Sequence, residues 1–208
     1  MELREALTQI AEIRQQMARS QVFRGYRSVT TAFSALVALV AAGVQEYVLP
    51  ESDRNSWHML YLWLGAAVLS LVVVGVEMVI RYRKAQSVLQ REITLVAVEQ
   101  FAPCLVAGAL VTYVLSWVTS YDALQTLPGL WAILFSLGVF ASRRVLPRGT
   151  FLVGAWYMLA GVLCLAMRKQ QGRDGFDFAK QMAVTFGGGQ LLAAGVLYWM
   201  LERRHGRT

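Results

Sequence analysis

The amino-acid sequence predicts an all-α fold: a polytopic transmembrane helical bundle of about six spans, with an amphipathic N-terminal cytoplasmic helix. Three observations carry this. First, 56% of the residues are hydrophobic and only 16% are charged, where a soluble domain carries about 25% charged residues. Second, the apolar residues are gathered into separate runs, and a helix needs ~20 of them to cross ~30 Å of hydrocarbon. Third, the basic residues sit in short clusters beside those runs, which is how the positive-inside bias writes topology. Six runs nearly fill the 208 residues. The chain therefore divides into an amphipathic segment over 1–27, a membrane domain over 28–201 and a basic cytoplasmic tail over 202–208.

Residues 1–27 hold five arginines and three glutamates, unlike the short basic start and apolar core of a signal peptide. Leu3, Leu7, Ile10, Ile13 and Met17 recur every three or four residues, which places them on one helical face. Such a helix lies on the inner leaflet or against the bundle. The sharper alternative is a docking helix for a partner or a second copy. The spans are expected near 28–49, 57–80, 93–118, 124–142, 150–167 and 178–201. The fourth and fifth are the shortest and are flanked by Pro128 and Pro147. Tyr26, Tyr82, Tyr198 and Trp199 mark one interfacial belt, and Tyr47, Trp57, Trp117 and Tyr121 the other.

Lysine and arginine counts set the expected orientation. The N-terminal segment has five, the second loop has Arg81, Arg83, Lys84 and Arg91, the fourth has Arg143, Arg144 and Arg148, and the tail has Arg203, Arg204 and Arg207. The opposite side holds only Arg54 and the fifth loop's Arg168, Lys169, Arg173 and Lys180. Fifteen against five puts both termini in the cytoplasm. A weak repeat accompanies this pattern: Gly75-Val76, Gly138-Val139 and Gly195-Val196 each precede arginines at the end of an even-numbered span. It suggests three helical hairpins with small residues where helices approach closely. Glycine and valine are also simply common in membrane helices.

Ionisable groups inside spans are costly, and each is a functional candidate. Glu77 precedes Arg81 by four residues, the spacing and order of a helical ion pair, so a structural reading is available for it. Glu99 lies about six residues into the third span, or roughly 9 Å at 1.5 Å per residue. Its neighbours one turn away, Leu95, Val96, Ala102 and Pro103, cannot pair with it. It is expected either to link to Arg81, Arg143 or Arg144, or to serve as a functional carboxylate. Gln100 follows it, and Pro103 removes a backbone donor and permits a kink. Glu77 and Glu99 fall at similar depth on adjacent helices, and two carboxylates near each other in low dielectric would not both stay ionised. A cation or proton site between the second and third helices is one hypothesis, with Glu99, Glu77, Gln100 and Gln190 as its ligand residues. Gly187-Gly188-Gly189 before Gln190 permits either an unwound segment or tight packing. Thr31, Ala35, Ala38, Ala42 and Gln45 form a stripe read as packing surface.

Several chemistries are disfavoured. The basic residues form no single patch, so nucleic acid is not the expected partner. His58 lies at the loop margin of the second span and His205 in the tail, which removes a bis-histidine haem between spans, and Cys104 and Cys164 are two sulfurs inside spans, read as small apolar packing. No GxxxxGK[ST], GxSxG or HExxH motif occurs. No cofactor, metal or catalytic residue is assigned.

The six-span layout, the hairpin endings and the stretch Leu127–Arg144 resemble small bacterial inner-membrane proteins of about this length. The triple-hairpin plan is loosely similar to the HdeD-type acid-resistance membrane proteins. The resemblance implies an inner-membrane bundle and transfers no functional residue. Two functional expectations follow. One is a membrane protein that binds or moves a proton, cation or small polar molecule around Glu99. The other is a non-catalytic adaptor, stress or regulatory protein acting through residues 1–27. A lipid-active enzyme comes third.

Overall fold

A computed structural model describes residues 28–49, 57–84, 88–118, 121–144, 146, 149–168 and 177–202. The amphipathic segment over 1–27 and the tail over 203–208 lie outside the described residues, as do the side chains of Arg81 and Arg144. Six principal helices follow in order. α1 spans Ser28–Gly43 and runs on through a π-helical turn at Val44–Val48. α2 spans Trp57–Lys84, α3 spans Val88–Val118, α4 spans Leu127–Ala141 and α5 spans Thr150–Arg168. α6 starts at Phe178–Met182, passes through a π turn at Ala183–Gly188, and continues as Gly189–Leu197 before a final π turn at Tyr198–Glu202. No strand occurs among the described residues.

Five of the helices are long and apolar enough to cross a membrane, while α4 is a shorter apolar helix of 15 residues. The expected fourth span of 124–142 is therefore too long. A one-turn helix at Tyr121–Leu124 and the cap at Thr126 come first, and α4 proper begins with Pro128 in its first turn. Proline is tolerated there because the first helical N–H groups have no intrahelical partner. Pro103, by contrast, sits inside α3, which continues unbroken across it. The cost is local: the carbonyl of Glu99, four residues back, loses its usual ladder donor.

The helices pack in the order α2–α1–α6–α5–α4–α3, and α2 meets α3 only sparsely. One core cluster joins Ala38, Ala41 and Ala42 of α1 to Met59, Leu60 and Trp63 of α2, Leu127 of α4, and Phe178 and Met182 of α6. A second joins Ala132 of α4 to Val153 and Tyr157 of α5, with Phe135 and Phe186 packed on it. The interior is a chain of aromatic rings. Phe135 lies 4.7 Å from Tyr157, 5.0 Å from Phe101 and 6.0 Å from Phe186, centroid to centroid. Tilted and edge-on pairs of this kind match the quadrupoles of the rings.

Small residues set the closest approaches. A Cβ on Gly161 would lie 2.8 Å from the carbonyl oxygen of Gly129, and one on Gly129 would lie 2.9 Å from that of Gly161. α4 and α5 thus touch backbone to backbone, and Ser136 Oγ adds a bond to the Gly154 carbonyl at 2.8 Å. The triple glycine of α6 works in the same way. The chain stays helical there, with Gly187 against Leu39 of α1 and Gly189 against Tyr157 of α5. Tight packing is the observed use, and the unwound segment is not formed. The α1 stripe also packs: Thr31, Ala35, Ala38, Ala42 and Gln45 are all buried. The hairpin-end glycines are not equivalent. Gly138 seats Phe101, whereas Gly75 and Gly195 have open space where a Cβ would be.

Candidate functional site

Polar groups within the spans are the natural place to look for function, since each must find a partner or remain a cost. Glu77 has one on another helix: Thr30 Oγ1 of α1 donates to its Oε2. The sequence offered Arg81 as a partner one turn away. The structure adds a threonine 47 positions distant, so Glu77 faces α1 and helps fasten α2 to it.

Glu99 is different. It is solvent-accessible, on an α3 whose span is buried over only 6% of its length. The α3 residues turned inward are Ala97, Phe101, Cys104, Gly108 and Thr112, which fall on one helical face. They include the contacts to α4. The ring of Phe101 and Cβ of Cys104 lie against Gly138, and Trp131 Nε1 donates to Thr112 Oγ1 at 2.8 Å. At about 100° per residue, Glu99 points roughly 160–200° away from the middle of that face. Leu95, Val106, Leu110, Tyr113 and Trp117 share its side and are exposed. No ion pair to Glu99 forms among the described residues, and Arg143 is instead placed 5.6 Å from the Phe151 ring of α5.

Gln100, the next residue, turns partly inward, and its Oε1 is buried with no hydrogen-bond partner among the described residues. Gln190 is half-buried on α6. Glu77 faces α1, Glu99 faces outward and Gln190 belongs to a helix on the far side of α1 from α2. The described contacts do not gather the four candidates around one point.

A second polar group, which no local spacing in the sequence announces, lies at the other end of the bundle. Trp63 Nε1 of α2 donates to Gln45 Oε1 of α1 at 2.6 Å, and both side chains are buried, at 2% and 0% exposure. Beside it Lys180 Nζ stands 3.9 Å from Glu46 Oε1. Asp177 caps α6 by accepting from the Phe178 N–H at 2.7 Å. Gln45 and Glu46 lie within the π turn of α1, and π turns occur often at functional positions. The only sequence signal was a glutamine on a stripe of alanines.

Among the described residues no group of three or more His, Cys, Asp or Glu side chains is placed to hold a metal. Cys104 and Cys164 are free thiols, the second buried. An apolar groove between α1 and α2, lined by Leu36, Val40, Tyr61 and Leu69, opens to the surface and has a volume of about 460 Å³. No family model, no curated protein and no solved structure matches the chain.

Proposed function

We propose that the chain is a multi-pass protein of a bacterial inner membrane, with both termini in the cytoplasm, that works by lateral association through the outward face of α3. The observation that carries the reading is Glu99, an exposed carboxylate within an apolar span and directed away from the bundle. Membrane-embedded acids are normally turned toward protein or water because hydrocarbon solvates them poorly. A partner helix on that face supplies what the described residues of the chain do not. The packed interior supports the same reading, since Phe135, Tyr157 and Phe186 fill the space a conducting path would need. A three-hairpin layout of the HdeD type accommodates these contacts, and residues 1–27 would add a cytoplasmic contact to the same partner.

The second reading is a site for a proton, a cation or a small polar molecule, with Glu99 as its centre and Gln100, Glu77 and Gln190 as its candidate neighbours. The lack, among the described residues, of an ion pair at Glu99 and of a hydrogen-bond partner for the buried Oε1 of Gln100 favours it. Such a path would run along the edge of α3 rather than through the middle of the bundle.

A photo-crosslinker in place of Val106, activated in native membranes, tests the first reading. Adducts to protein are expected, and adducts to lipid alone refute it. Flux in proteoliposomes under proton and alkali-cation gradients tests the second, and loss of flux in a folded Glu99→Gln variant would establish it. The orientation has its own check. A cysteine at Ser52 should react with impermeant label only from outside the cell.

A further inference from the structure

The proposed association leaves the partner unnamed, and the register of α3 against α4 points to one. The two helices run antiparallel: Thr112 meets Trp131, and Cys104 lies 3.3 Å from where a Cβ on Gly138 would be. Each step back along α3 is therefore matched by a step forward along α4. Five residues back from Cys104 is Glu99, and five residues on from Gly138 is Arg143. At 1.5 Å per residue both lie roughly 7.5 Å below the same contact. The carboxylate and the guanidinium occupy one level of the membrane.

They nevertheless do not pair within the chain, and the reason is geometric. Glu99 leaves α3 on the side away from α4, whereas Arg143 leaves the end of α4 toward α5, over the Phe151 ring. One copy thus presents an acid on the outward face of α3 and a base at the α4–α5 junction, at equal depth. Both are exposed. All copies share one orientation in a membrane, so depth is preserved between neighbours, and equal depth is what lets such groups meet.

We propose that the partner on the outward face of α3 is a second copy of this chain, with Glu99 of one copy paired to Arg143 of the next. The inference rests on the lateral-association reading and makes the contact head-to-tail, so that it repeats from copy to copy. Leu95, Val106 and Leu110 would pack beside the pair, and an Arg–carboxylate contact would fix its level.

The test uses charge exchange in the purified full-length chain at low density in liposomes, with copies counted by stepwise photobleaching. Wild type should give multi-copy spots. Glu99→Arg alone and Arg143→Glu alone should each give single copies, because each sets like charges against one another. A mixture of the two variants should recover multi-copy spots, since every contact then joins opposite charges. Recovery on mixing also shows that both variants are folded. Single copies for wild type, with protein adducts still formed at Val106 in native membranes, would overturn the second-copy inference and leave lateral association standing. Lipid adducts alone at Val106 would remove both. Multi-copy spots for either variant alone would show that the Glu99–Arg143 pair does not hold the copies together.

Discussion

Backbone contact between α4 and α5 allows a prediction whose controls lie in the same chain. Gly161→Ala places a methyl 2.8 Å from the Gly129 carbonyl oxygen, with Ile133 Cγ1 at 2.9 Å and the Ala132 Cβ at 3.1 Å. A carbon in comfortable contact stands ~3.5 Å or more from its neighbours. The obstacle is a main-chain carbonyl, which cannot rotate aside as a side-chain tip would, so the helices must part. Overpacking of this kind costs about 1–3 kcal/mol. Gly195→Ala adds the same methyl where nothing lies within 4 Å. Both replacements gain the helix-propensity advantage of alanine, about 0.5–1 kcal/mol, so their difference isolates the overpacking term. Gly161→Ala should therefore be less stable than Gly195→Ala by about 1–3 kcal/mol. Thermal unfolding in detergent, followed by a thiol-reactive dye that reports exposure of the buried Cys164, measures this. Equal midpoints for the two variants would refute backbone contact between α4 and α5.

Three other perturbations follow from single contacts. Thr30→Val keeps the shape of the side chain but removes the donor to Glu77, and should cost about 1.5–3 kcal/mol, the range for a hydrogen bond to a charged group. The loss should shrink in a Glu77→Leu background, and an unchanged loss would deny the contact. Trp63→Phe leaves Gln45 Oε1 buried without its indole donor, costing about 1–3 kcal/mol, whereas the double variant with Gln45→Leu should lose less than the two singles combined. Additive losses in that cycle would show no coupling. Phe135→Ala empties the junction of three ring contacts and should cost about 3–5 kcal/mol, read by the same thermal assay.

The helices themselves were legible in the sequence, and their mutual placement was not. Span length and apolar composition are one-dimensional properties, so the expected boundaries for α1, α2, α5 and α6 fall within a few residues of those observed. The expected fourth span took in Leu124 across Gln125 and Thr126, where the chain turns before the helix begins at Leu127. Polar partners needed a third dimension. Thr30 meets Glu77 and Trp63 meets Gln45 across helices, and no local spacing announces either pair. The shared Gly-Val endings misled for the same reason. Gly138 is packed because Phe101 of α3 happens to reach it, whereas the glycines of the identical dipeptides, Gly75 and Gly195, have open space where a Cβ would be. Glu99 was identified as exceptional from sequence alone, yet its direction depends on the Phe101, Cys104 and Thr112 contacts that orient α3.

Those orienting contacts explain why the Glu99 carboxylate faces outward. In water, an amphipathic pattern marks the buried face of a helix, because exposure of apolar surface is penalised. In hydrocarbon that penalty vanishes, and α3 is apolar on nearly every side whichever way it faces. Packing then follows shape: Phe101 into the space over Gly138, and Trp131 onto the Thr112 hydroxyl, itself bonded to the Gly108 carbonyl at 2.7 Å. Shape fixes the rotation of the helix without regard to Glu99, and the acid is carried to the outside. Proline four residues on leaves the Glu99 carbonyl without its ladder donor on the same turn. Side chain and backbone together make this the one turn with an acid on the outward face of α3 between Thr94 and Trp117. A helix docking there gains from pairing both groups, whereas docking elsewhere on α3 gains only dispersion, which lipid supplies equally well.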